Sequence, residues 1–113
     1  MKLLAALDLM AAARARPVAE SLGWSYVPCP REGDLVARAR AEGADAVLLD
    51  LSGIPDAAAV VRSLKTLPGI LVIGTAGHVE EDLLQAARAA GADALLSKGE
   101  LARRLPELLG AAG

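Results

Sequence analysis

Five short apolar runs, each followed by a longer amphipathic segment, constrain this chain more than any other feature of its sequence. The runs are Leu3–Leu7, Trp24–Pro28, Ala46–Leu49, Ile70–Ile73 and Ala94–Leu96. Four of them lack the polar alternation of a half-solvated strand, as expected of strands covered on both faces of a parallel sheet. Trp24–Pro28 is the wetter exception and reads as an edge strand. Helix-like segments lie between and after them at Ala11–Leu22, Asp34–Glu42, Asp56–Leu67, Glu80–Ala90 and Leu101–Gly110. Their ends carry the expected signals: Gly23, Gly43 and Gly91 just past a C-terminus, acids from Glu80 to Asp82 in a first turn, and Pro55 and Pro68 bracketing the third segment. The phrase Gly-Ala-Asp-Ala occurs at Gly43–Ala46 and again at Gly91–Ala94, each time ending a helix and opening a strand.

Five β-α units in 113 residues predict one domain, residues 1–113, of the α/β class. The expected architecture is a doubly wound five-stranded parallel sheet with helices on both faces and right-handed crossovers. Composition narrows the chemistry. Phe is absent and Trp24 and Tyr26 are the only aromatics, so the core must be built from small and branched aliphatic side chains, and base stacking is disfavoured. A net charge of -2 with no basic tract argues against binding a nucleic-acid backbone. Cys29 is the sole cysteine and cannot close an intramolecular disulfide, which fits a reducing, cytoplasmic setting. It reads as a packing residue at a loop end. The opening run stops at Asp8, too short for a signal-peptide core or a membrane span. The chain ends at the fifth helix without an output domain, so its effect is expected to pass through partner contacts.

In doubly wound sheets, chemistry gathers beyond the carboxyl ends of the strands, at the topological switch point. Asp8 follows the first run, Asp50 the third, Gly74-Thr75-Ala76 the fourth and Ser97-Lys98-Gly99 the fifth. Two carboxylates make a hard-oxygen site suited to Mg²⁺. A lysine and a small hydroxyl beside them can hold a phosphoryl group, and an aspartate can accept one covalently. Asp50 stands out, because an acid ending a buried apolar strand is costly without a purpose. Plainer roles stand beside these: Asp8 as a helix cap, Thr75 as a turn hydroxyl, and Lys98 as a solvated or merely salt-bridged lysine. His78 has no second histidine or thiol at metal-ligand spacing and reads as an ordinary loop residue.

Over essentially its whole length the chain resembles the response-regulator receiver domain. The stretches that carry the resemblance are Gly43-Ala44-Asp45-Ala46-Val47-Leu48-Leu49-Asp50-Leu51 and the segment from Glu80-Glu81-Asp82 to Leu95-Leu96-Ser97-Lys98. The resemblance implies a flavodoxin-like strand order 2-1-3-4-5. It implies Asp50 as phosphoacceptor, Thr75 as switch hydroxyl and Lys98 as the family's lysine. Asp8, Asp50 and the backbone carbonyl of Ser52 take the metal positions, for Mg²⁺. A histidine kinase or phosphotransfer protein is the implied donor, and the implied role is signalling, not enzymatic. The implied docking or homodimer face is the fourth helix, fifth strand and fifth helix, carrying Arg88, Arg103 and Arg104.

The chain also departs from the receiver pattern. The usual acid pair after the first strand reads Leu7-Asp8, so one carboxylate is missing and Mg²⁺ binding is weakened. The loop Leu51-Ser52-Gly53-Ile54-Pro55-Asp56 is shortened. Leu95 replaces the aromatic switch residue, and Gly99 follows Lys98 where proline is frequent. Thr75 fits the switch position counted from Glu80, Gly74 counted from the strand start; Thr75 is preferred. Three functions follow: a phosphorelay receiver with Asp50 and Mg²⁺, a phosphorylation-independent pseudo-receiver that docks or dimerises, and a small α/β enzyme or nucleotide binder. The last ranks lowest, because no phosphate-binding glycine loop follows the first strand and no nucleophile–histidine pair is apparent.

Overall fold

The computed structural model describes residues 1–31, 33–77 and 79–112. Its strands are β1 (Lys2–Ala6), β2 (Ser25–Pro28), β3 (Ala46–Asp50), β4 (Leu71–Ala76) and β5 (Ala94–Ser97). Its helices are α1 (Leu9–Ser21), α2 (Leu35–Glu42), α3 (Ala57–Leu64), α4 (Glu81–Ala89) and α5 (Leu101–Ala112), with a single 3₁₀ turn, Lys98–Glu100, leading into α5. All strand pairings are parallel and the order is β2-β1-β3-β4-β5, as expected. The wetter run is the edge strand β2, whose Pro28 lies at its last position.

Alternating strand residues feed two cores, one on each face of the sheet. Leu3, Ala46, Leu48, Ile73 and Leu96 pack with α1 and α5. Leu4, Ala6, Val47, Leu49 and Val72 pack with α2, α3 and α4. On the first face, Ala11, Ala15 and Ala19 recur every fourth residue along α1, and Leu101, Leu105 and Leu109 do so along α5. Small side chains facing large ones let these helices and the sheet close up without aromatic filler, which accounts for the alanine-rich composition.

Boundaries shift by one or two residues at most ends, as caps and frayed turns do. Asp34 lies outside α2 as its cap, accepting from the Ala37 N–H at 3.0 Å. The larger difference is in β4, which runs on through Gly74, Thr75 and Ala76 instead of ending at Ile73. Both neighbours hold it there: Gly74 pairs with Leu49 and Leu95, and Thr75 with Asp50 and Leu96. Gly74 also gives room, since a Cβ there would lie 3.0 Å from a Leu51 methyl and 3.1 Å from one of Leu95. No helix among the described residues is long and apolar enough to cross a membrane. His78 lies outside the described residues.

Candidate functional site

The carboxyl ends of β1, β3, β4 and β5 bring Asp8, Asp50, Thr75 and Lys98 to one crevice. Asp50 ends β3 and is 1% exposed, buried by the strands on either side. One carboxylate oxygen, Oδ1, accepts from the Ser52 hydroxyl at 2.8 Å and from the Ser52 N–H at 3.2 Å. The short loop after β3 folds back tightly enough to allow this, with Gly53 N–H also donating to the Asp50 carbonyl at 3.2 Å. The same tightness leaves Asp56 in the left-handed region at φ 50°, immediately before α3.

Asp8 takes the helix-cap role expected for it and also pairs with Lys98. Its Oδ1 caps α1 by accepting from the Ala11 N–H at 2.8 Å, and its Oδ2 receives the Lys98 ammonium at 2.9 Å. The backbone bond from Ala11, then that from Lys98, holds the Asp8 carboxyl below the usual aspartate range. The Lys98 ammonium is shifted upward, chiefly by its bond to Asp8, with Asp50 and Glu80 adding to the pull. Lys98 Nζ lies 3.9 Å from Asp50 Oδ1, so one lysine spans both acids. It is positioned by a capping box in which Ser97 N–H donates to Glu100 Oε1 at 2.9 Å.

A fourth charged group completes the cluster, one that no sequence pattern singled out. Arg31, in the loop between β2 and α2, reaches across the crevice and places Nη1 3.2 Å from Asp50 Oδ2. Gly53 makes the approach feasible. A Cβ at that position would collide with Arg31 Nη1 and lie 2.9 Å from Asp50 Oδ2. Asp8, Asp50, Lys98 and Arg31 therefore share the crevice, each acid paired with a cation. Thr75 is fully buried one strand over, directly across from Asp50, and its hydroxyl is the one buried side-chain polar atom without a partner among the described residues. Ser52 contacts Asp50 through its N–H and hydroxyl, the contacts given above.

These residues do not fit Mg²⁺. The ion requires near-octahedral oxygen ligands and is held by carboxylates with open lone pairs. Here Leu7 replaces the second acid, Asp8 is committed to a cap and a lysine, and both oxygens of Asp50 are covered. Leu95 fills the place of the implied aromatic switch, packed over Gly74. Cys29 is buried, its Sγ 3.6 Å from the Pro30 carbonyl; burial pushes the thiol up, as suits a packing residue.

No family model matches the sequence, and no characterised protein matches it by sequence. Solved structures do match the fold. A CheY-like protein, TadZ, from Pseudomonas aeruginosa superposes with a TM-score of 0.82 at 22% identity, covering 100% of this chain and 99% of that one. A response regulator from Thermotoga maritima gives 0.82 at 18% identity, covering 98% and 95%. The signal receiver domain of a modulated diguanylate cyclase from Desulfovibrio desulfuricans gives 0.81 at 23%, covering 98% and 91%. The strand order, the helix placement and these superpositions over the whole chain agree: this protein has the fold of the CheY-like receiver domains.

Proposed function

We propose that this chain is a receiver-type signalling domain that works by protein contact and does not depend on metal-assisted phosphorylation. The observation that carries this reading is the Arg31–Asp50–Lys98 cluster. A phosphoryl group arriving at Asp50 must displace a guanidinium already hydrogen-bonded to Oδ2, and Leu7 stands where a second acid would help hold a metal beside it. The protein surface that would signal is the face of α4, β5 and α5. It carries Arg88 and Arg104, which line a shallow 450 Å³ groove with Leu95 and Leu108. Arg103 and Arg104 both reach Glu100, at 3.4 and 3.6 Å, so the face is only partly basic. A homodimer or a protein partner on this face is the proposed output, in a cytoplasmic setting.

A second reading keeps Asp50 as phosphoacceptor, with a histidine kinase or phosphotransfer protein as donor. It is favoured by the unpartnered Thr75 hydroxyl, a donor already buried across from Asp50. In that chemistry an Asp50 oxygen bonds to phosphorus while the donor's bond to phosphorus breaks and the leaving group takes a proton. Intact-mass measurement after incubation with millimolar phosphoramidate, with and without Mg²⁺, separates the two readings. No phosphoryl adduct is expected. An adduct that Asp50→Asn abolishes would establish the second reading instead.

A further inference from the structure

We infer that Arg31 is the resident cation of the crevice: its guanidinium, seated by Gly53, neutralises Asp50 and makes a divalent ion and the arginine mutually exclusive there. Three observations converge on this. Arg31 Nη1 lies 3.2 Å from the one Asp50 oxygen that Ser52 leaves free. Gly53 is the only residue type that leaves space for it, because a Cβ would strike the guanidinium and crowd the carboxylate together. The acid that would help a divalent ion compete is absent, with Leu7 in its place. Charge makes the exclusion strong. Asp50 is already paired with Arg31 and lies 3.9 Å from Lys98, so a divalent ion entering at its carboxylate would meet two cations at close range.

A tethered guanidinium differs from a metal in what it allows. It presents its donors in a fixed plane and cannot be removed by a chelator or diluted away. The crevice is thus held in one electrostatic state whatever the surrounding metal concentration. The loop between β2 and α2, which supplies Arg31, is thereby tied to the end of β3.

The test is a Mg²⁺ titration from 0 to about 10 mM, followed by thermal unfolding and by backbone amide shifts, on the wild-type chain, Arg31→Ala and Gly53→Ala. The wild type is expected to show no saturating shift at Asp8, Asp50 or Ser52 and no change in Tm. Arg31→Ala is expected to lose stability and regain part of it in Mg²⁺, a rise of about 5 °C for a millimolar site. Gly53→Ala keeps every charge but crowds both Arg31 and Asp50 Oδ2, so it is expected to displace the guanidinium and gain a weaker but saturating metal response. It decides the matter should Arg31→Ala fail to fold. A saturating Mg²⁺ response in the wild type overturns the inference, as does a folded variant that stays as blind to Mg²⁺ as the wild type. This role for Arg31 deepens the functional reading above, yet the two fail separately. A phosphoryl adduct without a metal response sinks the reading and spares Arg31; a metal response without an adduct does the reverse.

Discussion

The two ends of the sheet use the same residue, aspartate, with a different balance of partners. At the amino end stand Asp45 and Asp93, one in each copy of the repeated Gly-Ala-Asp-Ala phrase. Each copy closes its helix alike: Gly43 and Gly91 take positive φ, and Ala44 and Ala92 donate back to Ala39 and Ala87. Each aspartate then docks on the neighbouring strand, Asp45 Oδ2 accepting from the Lys2 N–H at 2.8 Å and Asp93 Oδ2 from the Val72 N–H at 2.7 Å. At the carboxyl end, Asp8 and Asp50 are answered by side-chain cations from remote parts of the chain, Lys98 and Arg31. The lower acids each spend an oxygen on the backbone of a neighbouring strand, and Asp93 adds Lys65 at 2.8 Å on that same oxygen. The upper acids are tied by long side chains to other parts of the chain, Asp8 to the end of β5 and Asp50 to the loop after β2.

The first way to break this comparison is Arg31→Ala. It strips a buried carboxylate of its nearest cation and is expected to destabilise the fold by about 2 kcal/mol, below the usual figure for a fully buried pair because the Arg31 side chain is 35% exposed. Chemical denaturation would measure it, and a loss below about 0.5 kcal/mol would place Arg31 with ordinary surface residues. Next comes the lower end. Asp93→Ala removes the bond to Val72 and the 2.8 Å contact with Lys65, for an expected loss of about 1.5 kcal/mol. Asp45→Ala removes an exposed bond and is expected to cost about half as much. Equal effects would show that the Lys65 contact adds nothing to the strand bond the two aspartates share.

Acid titration sharpens the contrast further. The folded state holds Asp8 below its ordinary range, so its contribution is present above about pH 4 and fades as the pH falls through the lower folded value. Because Asp8 is partly exposed, the amount is under about 1 kcal/mol. Lys98 behaves in mirror image: its raised value keeps the pair intact at neutral pH, with loss only as the pH climbs well above 10. Asp8→Asn should therefore flatten the acid side of the stability–pH curve, and an unchanged slope would show that Asp8 adds nothing there. The smallest effect is expected at Asp56. Replacing this left-handed residue with glycine should raise stability by about 0.5 kcal/mol.

Much of this was legible in the sequence, for identifiable reasons. The strands read clearly because a central parallel strand is apolar on both faces, and Asp50 read clearly because it breaks that rule at a strand end. Asp8 and Lys98 followed from topology once the strand ends were known. The end of β4 is hidden in the sequence because Gly74 looks like a turn; its role is to admit Leu51 and Leu95, which only the packed neighbours reveal. Arg31 was illegible because an arginine between Pro30 and Glu32 in a connecting loop carries no periodicity and no motif. Its trace in the sequence was indirect. A buried aspartate lacked its second acid and was followed three residues later by a glycine, which together suggest that a bulky cation has moved in.

The most direct measurement is a crystal structure grown in excess Mg²⁺. With Arg31 as the resident cation, its guanidinium stays within about 3 Å of Asp50 Oδ2 and no metal density stands between Asp8 and Asp50. Arg31 swung out into solvent, with an octahedral ion bound by Asp8 and Asp50, would contradict it.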